Sequence, residues 1–279
     1  MRMERDAADY QAASLRAPHE RLRLLVTVKT YPTPSARYQE TVCTAGISSD
    51  GRWIRLYPVP FRYWDEEQQY ELYDWIELDA RRPSDDTRKE SYRPVGDITV
   101  LSHVPPDNHW EQRKQLVLPH ASPSVEYLTD AYERDGTSLG LVQPGEVTDV
   151  IVEKESADWT PRERAILTQG RLFGSQPKPL EKLDHRFSYR FRCHGTDCKT
   201  HEMMITDWGL CYLYLKMRRE CGTEEAVQKT LAKCRDVVAR DKDAWFYVGT
   251  VYPYRTFIIV GMFYPKKLPE GEQGAFSFD

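Results

Sequence analysis

Short segments with the pattern of β-strands, separated by turn residues, constrain this chain more than any other feature. LRLLVTVKTY (22–31) comes first, and ETVCTAGI (40–47) and RWIRLYPV (52–59) follow it. A turn at Asp50-Gly51 joins the last two, because glycine accepts a positive φ at little cost. Further strands are predicted at 74–81, 97–104, 138–142, 147–155, 185–193, 201–208, 244–250 and 256–265. The sequence therefore predicts a β-rich fold.

Helical patterns interrupt these strands. The clearest start is at ADWTPRERAIL, where Thr160 is an N-cap, Pro161 is the first helical residue and Glu163 completes a capping box. Helices are predicted within 108–118, 124–135, 157–173, 209–221 and 223–241. Strands and helices in this arrangement indicate an α+β protein.

Length and composition allow one large or two ordinary domains. The 279 residues are 40% hydrophobic and 29% charged, which is typical of globular proteins. We expect a lead-in at 1–20, a first domain at 21–155, a second at 156–267 and a tail at 268–279. A long charged loop, 81–94, is expected to be mobile or functional.

Charge and hydropathy exclude several classes of protein. Against 39 basic residues stand 43 acidic ones, a net charge of −4, so any contact with nucleic acid needs a local basic patch. The charged N-terminal segment does not resemble a secretory signal, and no stretch reaches the roughly 18 apolar residues of a membrane span. We therefore expect a cytoplasmic protein with reduced cysteines and no membrane partner.

The strand at 52–59 offers a first candidate surface. Alternation predicts Trp53, Arg55 and Tyr57 on one face and core residues on the other. Aromatic rings interleaved with arginine are typical of surfaces that stack the bases of single-stranded nucleic acids. The alternative is that another layer of the protein covers this face and that the arginine side chain extends past it, so that its charged end reaches solvent. The predicted contacts in this half are Lys29, Tyr31, Trp53, Arg55, Tyr57 and Arg62, with Arg37 and Tyr38 as further candidates.

HRFSYRFRC (185–193) offers a second candidate surface. Alternation places Phe187, Tyr189 and Phe191 on one face and Arg186, Arg190 and Arg192 on the other. Three arginines on one face suit a phosphate backbone. They would equally be explained by solvation or by pairing with nearby acidic residues, and the sequence leaves these alternatives open.

A possible metal site follows at Cys193-x4-Cys198-x2-His201. Thiolates and an imidazole at short spacing suit zinc, which prefers four nitrogen and sulfur ligands. The fourth ligand is open, with His194, Asp197, His185 and Cys211 as candidates. The alternative is two reduced cysteines beside a structural histidine. Cys221 and Cys234 fall at helical positions and are predicted to be core residues.

An enzyme is the weaker alternative. His201 and Asp207 could contribute to a metal-dependent nuclease or a nucleotide-processing enzyme, because such sites gather histidine and carboxylate around an ion. However, no glycine-rich phosphate loop and no nucleophile motif is present. The sequence gives no positive argument for catalysis.

Three segments, 28–62, 193–208 and 246–265, resemble a family of uncharacterised bacterial and phage proteins described as carrying a dual OB-fold domain. The resemblance implies two small Greek-key barrels with added helices, and it favours oligonucleotide binding on an exposed strand face. In that family an acidic residue follows the Asp-Trp pair, where this chain has Gly209. This departure weakens a catalytic interpretation of the segment.

Together these patterns predict a module that binds single-stranded DNA or RNA with low sequence specificity, with zinc as a candidate cofactor. Two alternatives remain from other classes. One is the metal-dependent enzyme, and the other is a protein-interaction component of a defence or counter-defence system, which rests on the resemblance alone.

Overall fold

The computed structural model of the protein describes residues 19–36, 39–64, 66–168, 177–194, 198–251 and 254–267. The chain divides into two compact units that are interleaved in sequence. The first, called the barrel unit, comprises Met1–His103 and Pro161–Leu180, and the second, called the sheet unit, comprises Val104–Thr160 and Glu181–Asp279. From the sequence we had expected consecutive domains. The lead-in before residue 19, the tail after 267, Arg37, Tyr38 and Asp197 lie outside the described residues.

Thirteen strands and five α-helices are described. The strands are β1 Glu20–Lys29, β2 Thr33–Ser35, β3 Gln39–Ser48, β4 Trp53–Val59, β5 Asp74–Arg81, β6 Ser91–His103, β7 Ala121–Ser122, β8 Leu139–Val142, β9 Pro144–Lys154, β10 His185–Cys193, β11 His201–Met204, β12 Trp245–Thr250 and β13 Phe257–Phe263. The helices are α1 Asp107–Val117, α2 Val125–Asp135, α3 Pro161–Leu167, α4 Trp208–Cys221 and α5 Thr223–Val237. None of them is long and apolar enough to cross a membrane.

Five strands of the barrel unit close into a barrel. β1 pairs with both β3 and β5, β3 pairs with β4, and β5 pairs with β6, all antiparallel. A short parallel pairing, Arg55 with Ser91 and Leu56 with Tyr92, joins β4 to β6 and completes the closure. The strand order around the barrel is therefore β1-β3-β4-β6-β5. Its interior is apolar, with Leu24, Ile76 and similar residues fully buried.

Local signals in the barrel unit agree with the sequence. β3 and β4 form the predicted hairpin, in which Gly51 takes a φ of 83° and donates its N–H to the Ser48 carbonyl at 2.8 Å. Gly46 in β3 lies against β1 so closely that an added Cβ would stand 1.9 Å from the Leu25 carbonyl oxygen. Glycine is therefore required where the two strands meet.

The sheet unit contains one three-stranded sheet, β11-β10-β9, and one four-stranded sheet, β13-β12-β8-β7. A single parallel bridge between Ile205 and Ile259 links them. The second barrel that we predicted is wrong for the described residues, since the strands form these two sheets instead. Aromatic packing holds the core together: the Tyr189 and Phe246 rings stack at 4.8 Å, and Phe191 meets Phe246 edge-on at 5.2 Å.

Helix ends in the sheet unit follow the predicted signals. The Ser124 hydroxyl accepts the Tyr127 N–H at the start of α2, and left-handed Gly136 ends that helix.

Two other helices are shorter or less regular than predicted. The helix predicted over 157–173 is described only over Pro161–Leu167, as α3 of the barrel unit, and residues 169–176 lie outside the described residues. In α1, Asn108, His109 and Trp110 have positive φ, so regular helix begins only after them.

Candidate functional site

The outer side of β4 presents two aromatic rings. Tyr57 is 41% exposed, and Trp53 is half-buried. Ile54 and Leu56, which alternate with them, are buried in the barrel core. The predicted division of this strand into a core face and an outer face is therefore seen for these four residues.

Arg55 differs from its two neighbours on the outer face, because only 2% of it is exposed. Its backbone N–H donates to the Glu90 carbonyl at 2.7 Å, immediately before β6 begins. Burial disfavours the charged guanidinium and lowers the pKa of Arg55, whereas Cys43 and the carboxylates of Glu90 and Asp86 favour the charge. The prediction that the Arg55 side chain is exposed is therefore wrong. Alternation along a strand gives the direction of a side chain, but it does not tell what covers that side chain.

Residues 82–90, called the covering loop, lie beside Arg55: Glu90 bonds to its backbone, and Asp86, Arg88 and Glu90 act electrostatically on its guanidinium. Arg88 and Glu90 are themselves buried, so the expectation of a mobile loop does not fit them. Arg88 holds Asp86 with two hydrogen bonds, Nε to Oδ1 at 2.9 Å and Nη2 to Oδ2 at 2.7 Å. Burial opposes the ionisation of Asp86, but the hydrogen bonds and the charge of Arg88 lower its pKa.

Other predicted contact residues of the barrel unit are engaged in its packing. Lys29 Nζ donates to the Tyr70 carbonyl at 3.2 Å and lies 4.1 Å from the centre of the Phe61 ring. Arg62 pairs with the buried Glu40 carboxylate at 3.0 Å and donates to the Lys178 carbonyl. Tyr31 is half-buried. These cations stabilise the unit in the described structure.

The arginines of β10 are paired across the sheet. Arg186 bonds to Glu153 at 2.5 Å, and Arg190 bonds to Glu202 at 3.0 Å. Arg192 donates to the Cys198 carbonyl at 3.1 Å. Of the alternatives left open by the sequence, pairing with nearby acidic residues explains Arg186 and Arg190. The face therefore carries compensating charges and not an uninterrupted basic ladder.

A four-residue cluster in the sheet unit could hold a metal ion. Cys193 ends β10 and His201 begins β11, and Cys198 lies in the connection between them. Glu126 in the first turn of α2 joins these three predicted ligands. One ligand atom from each residue lies within 4.8 Å of all the others. We call this set the Cys-His-Glu cluster.

Contacts within the Cys-His-Glu cluster are close. Cys198 Sγ lies 3.3 Å from His201 Nε2, and that nitrogen lies 3.0 Å from Glu126 Oε1. The same Oε1 accepts the Lys199 N–H at 2.8 Å. The other oxygen of Glu126, Oε2, is buried and has no hydrogen-bond partner among the residues that the structure describes. A buried carboxylate oxygen without a partner is costly, and a cation would satisfy it.

Burial sets the protonation of the cluster. Cys193 and Cys198 are 4% and 7% exposed. Burial, with Cys198 and Glu126 close by, raises the pKa of Cys193 to about 12, so the thiol is neutral unless a cation lies beside it. Burial also opposes the ionisation of Glu126, but backbone N–H groups and His201 outweigh it and lower its pKa.

The three other candidates for the fourth ligand that the structure describes are not part of the cluster. His185 Nδ1 lies 2.8 Å from the Tyr214 hydroxyl, and Cys211 is buried in α4. His194 is exposed and does not belong to the group. Sequence reasoning missed Glu126, because it lies 67 residues before Cys193 and no short spacing connects them.

Asp207 has a structural position. Its Oδ1 accepts the Leu210 N–H at 2.8 Å, and it thereby caps the start of α4. Asp207 does not belong to the Cys-His-Glu cluster that contains His201, and the enzyme alternative stays a prediction. Cys234 is a buried helical residue, as predicted, whereas Cys221 is half-buried; all six cysteines are free thiols.

Two family models match the chain. Residues 121–278 match a domain of unknown function (DUF8757), and residues 20–119 match a second domain of unknown function (DUF8758). The chain matches none of the curated proteins. The adjacent matches agree with the two-domain organisation that the sequence resemblance implied.

Proposed function

We propose that this chain, which belongs to the DUF8757 family, binds single-stranded nucleic acid through the outer side of β4 in the barrel unit. The strand order of the closed barrel carries the proposal. Five strands in the order β1-β3-β4-β6-β5, with β4 and β6 parallel, have the connectivity of an OB fold. In that fold the second and third barrel strands, here β3 and β4, form the usual oligonucleotide face.

The side chains on this face support the proposal. Tyr57 and Trp53 lie on β4, and Tyr31 follows β1 in the connection to β3. Stacking on such rings contributes about 1–3 kcal/mol per base and tolerates any sequence. The paired arginines of β10 give less support, so we restrict the proposed interface to the barrel unit.

A binding titration tests the proposal. A fluorescently labelled 20-mer of deoxythymidine or uridine should raise its anisotropy with increasing protein, and affinity should fall as salt rises because phosphate contacts release counterions. A duplex of equal length is the control, and it should bind more weakly because its bases are already stacked. Absence of binding to DNA and RNA at low salt would overturn the proposal.

We also propose that the Cys-His-Glu cluster holds one zinc ion as a closed structural site. Tetrahedral zinc with ligands at about 2.0–2.3 Å needs ligand atoms about 3.3–3.8 Å apart. The cluster, within 4.8 Å, needs only a small contraction to reach this geometry. The unpartnered Oε2 of Glu126 is the observation that favours a cation there. The ion would fix α2 to the ends of β10 and β11.

Metal analysis tests the zinc proposal. Purified protein should contain about one zinc per chain, and Cys198→Ser should lose it. Cys221→Ser is the matched control, because Cys221 lies in α4, where its thiol donates to the Met217 carbonyl. Metal-free protein that gains no thermal stability on addition of zinc would contradict the proposal.

A further inference from the structure

We infer that Arg55 and Arg88 form a phosphate-binding site on the proposed nucleic-acid face, and that the covering loop fills this site with its own carboxylates. The inference rests on the proposed function of the barrel unit. It predicts that the nucleic-acid face has two states, one covered by residues 82–90 and one open to the phosphates of a bound strand.

The position of Arg55 is the first argument. It lies between Trp53 and Tyr57 on β4, so it belongs to the same outer face as the two rings. A phosphate contact between two base-stacking residues suits a single strand, because one phosphate joins each pair of neighbouring nucleosides. Arg55 is buried where the last residue of the covering loop, Glu90, meets the β4 backbone.

The chemistry of the loop is the second argument. Arg88 holds Asp86 through two parallel hydrogen bonds at 2.9 and 2.7 Å. This bidentate geometry is the one with which a guanidinium holds phosphate. Asp86 and Glu90 also supply the negative charge that favours the charged form of buried Arg55. The loop therefore provides carboxylates where a nucleic acid would provide phosphate.

The attachment of the loop is the third argument. Among its other contacts, Arg93 Nη2 donates to both carboxylate oxygens of Asp85, at 2.6 and 2.5 Å. Arg82 lies 4.2 Å from the centre of the Tyr92 ring. These contacts hold Arg82 and Asp85 to the first residues of β6, so the Asp86 side chain could give way to a phosphate while the loop backbone on either side stays in place.

Asp86→Asn tests the inference with the labelled deoxythymidine 20-mer as the probe. Losing the competing carboxylate should strengthen binding about five- to tenfold. The slope of log affinity against log salt concentration should steepen by about 0.7, the value for one further phosphate contact on a single strand. Asp97→Asn is the matched control, because it removes the same charge from an exposed residue of the barrel unit outside the covering loop, whose Oδ1 accepts from Gln68 Nε2 at 2.7 Å. It should change affinity less than about twofold, as expected for an exposed charge in salt.

The outcomes separate the two proposals. Equal affinities of the wild type, Asp86→Asn and Asp97→Asn would overturn the phosphate site and leave the proposed function standing. No binding by the wild type or by Asp86→Asn would overturn both. Binding by Asp86→Asn without binding by the wild type would support both the proposed function and the phosphate site. If thermal melting shows that Asp86→Asn is unfolded, Glu90→Gln replaces it with the same expectations.

Discussion

Glu126 illustrates how one side chain can hold a site together. Its Oε1 contacts both His201 Nε2 and the Lys199 N–H, while its Oε2 is buried with no hydrogen-bond partner in the described part of the chain. The residue at the start of α2 thereby joins a helix to the β10–β11 connection. Its carboxylate also brings negative charge close to two thiols, an arrangement that a cation would stabilise.

Glu126→Gln should therefore weaken zinc binding by at least about tenfold, because the amide keeps an oxygen for the Lys199 N–H but loses the charge. A competition titration against a chromogenic chelator measures this change. Glu133→Gln is the matched control on the same helix, since Glu133 pairs with Arg255 instead. Equal zinc affinities for both variants would contradict the assignment of Glu126 as a ligand.

At the scale of elements, local signals could be predicted from the sequence and distant pairings could not. The Asp50-Gly51 turn and the caps of α2 are each set by adjacent residues. The burial of Arg55 depends on residues more than 30 positions away, and the approach of Glu126 to Cys193 spans 67 positions. Alternation and spacing carry no information about such contacts.

Gly46 is the element-scale test of barrel closure. Gly46→Ala should lower the free energy of unfolding by about 3 kcal/mol or more, because its Cβ would meet the Leu25 carbonyl oxygen. Gly96→Ala is the control in the same unit, since nothing lies within 4 Å of its Cβ and only its positive φ adds cost, about 1 kcal/mol. Urea unfolding of both variants measures the difference, and equal losses would argue against close packing of β1 on β3.

At the scale of the whole molecule, the two units hold different proposed sites. The barrel unit contains the aromatic face of β4, and the sheet unit contains the Cys-His-Glu cluster. The sequence pattern predicted a β-rich α+β protein and brought three of the four cluster residues together. The family resemblance implied two barrels, and one closed barrel is seen in the described residues. The strand pattern itself does not state whether a sheet closes, so it could not exclude the second barrel.

Removing zinc should affect the sheet unit selectively. With a chelator present, hydrogen exchange should rise at the start of α2 and at the adjoining ends of β10 and β11, because the ion would be the cross-link between them. β1, β3 and β5 of the barrel unit should exchange as before and serve as the internal control. An unchanged exchange pattern in α2 would contradict a structural role for the metal.

The most direct test of nucleic-acid binding is the affinity of Tyr57→Ala for a labelled single-stranded 20-mer. Removing this ring should weaken binding about tenfold, the loss expected for one stacked base. Tyr254→Ala is the control, because Tyr254 is 68% exposed and belongs to the sheet unit. A loss confined to Tyr57→Ala is the predicted result, and equal affinities of the two variants would contradict an interface on β4.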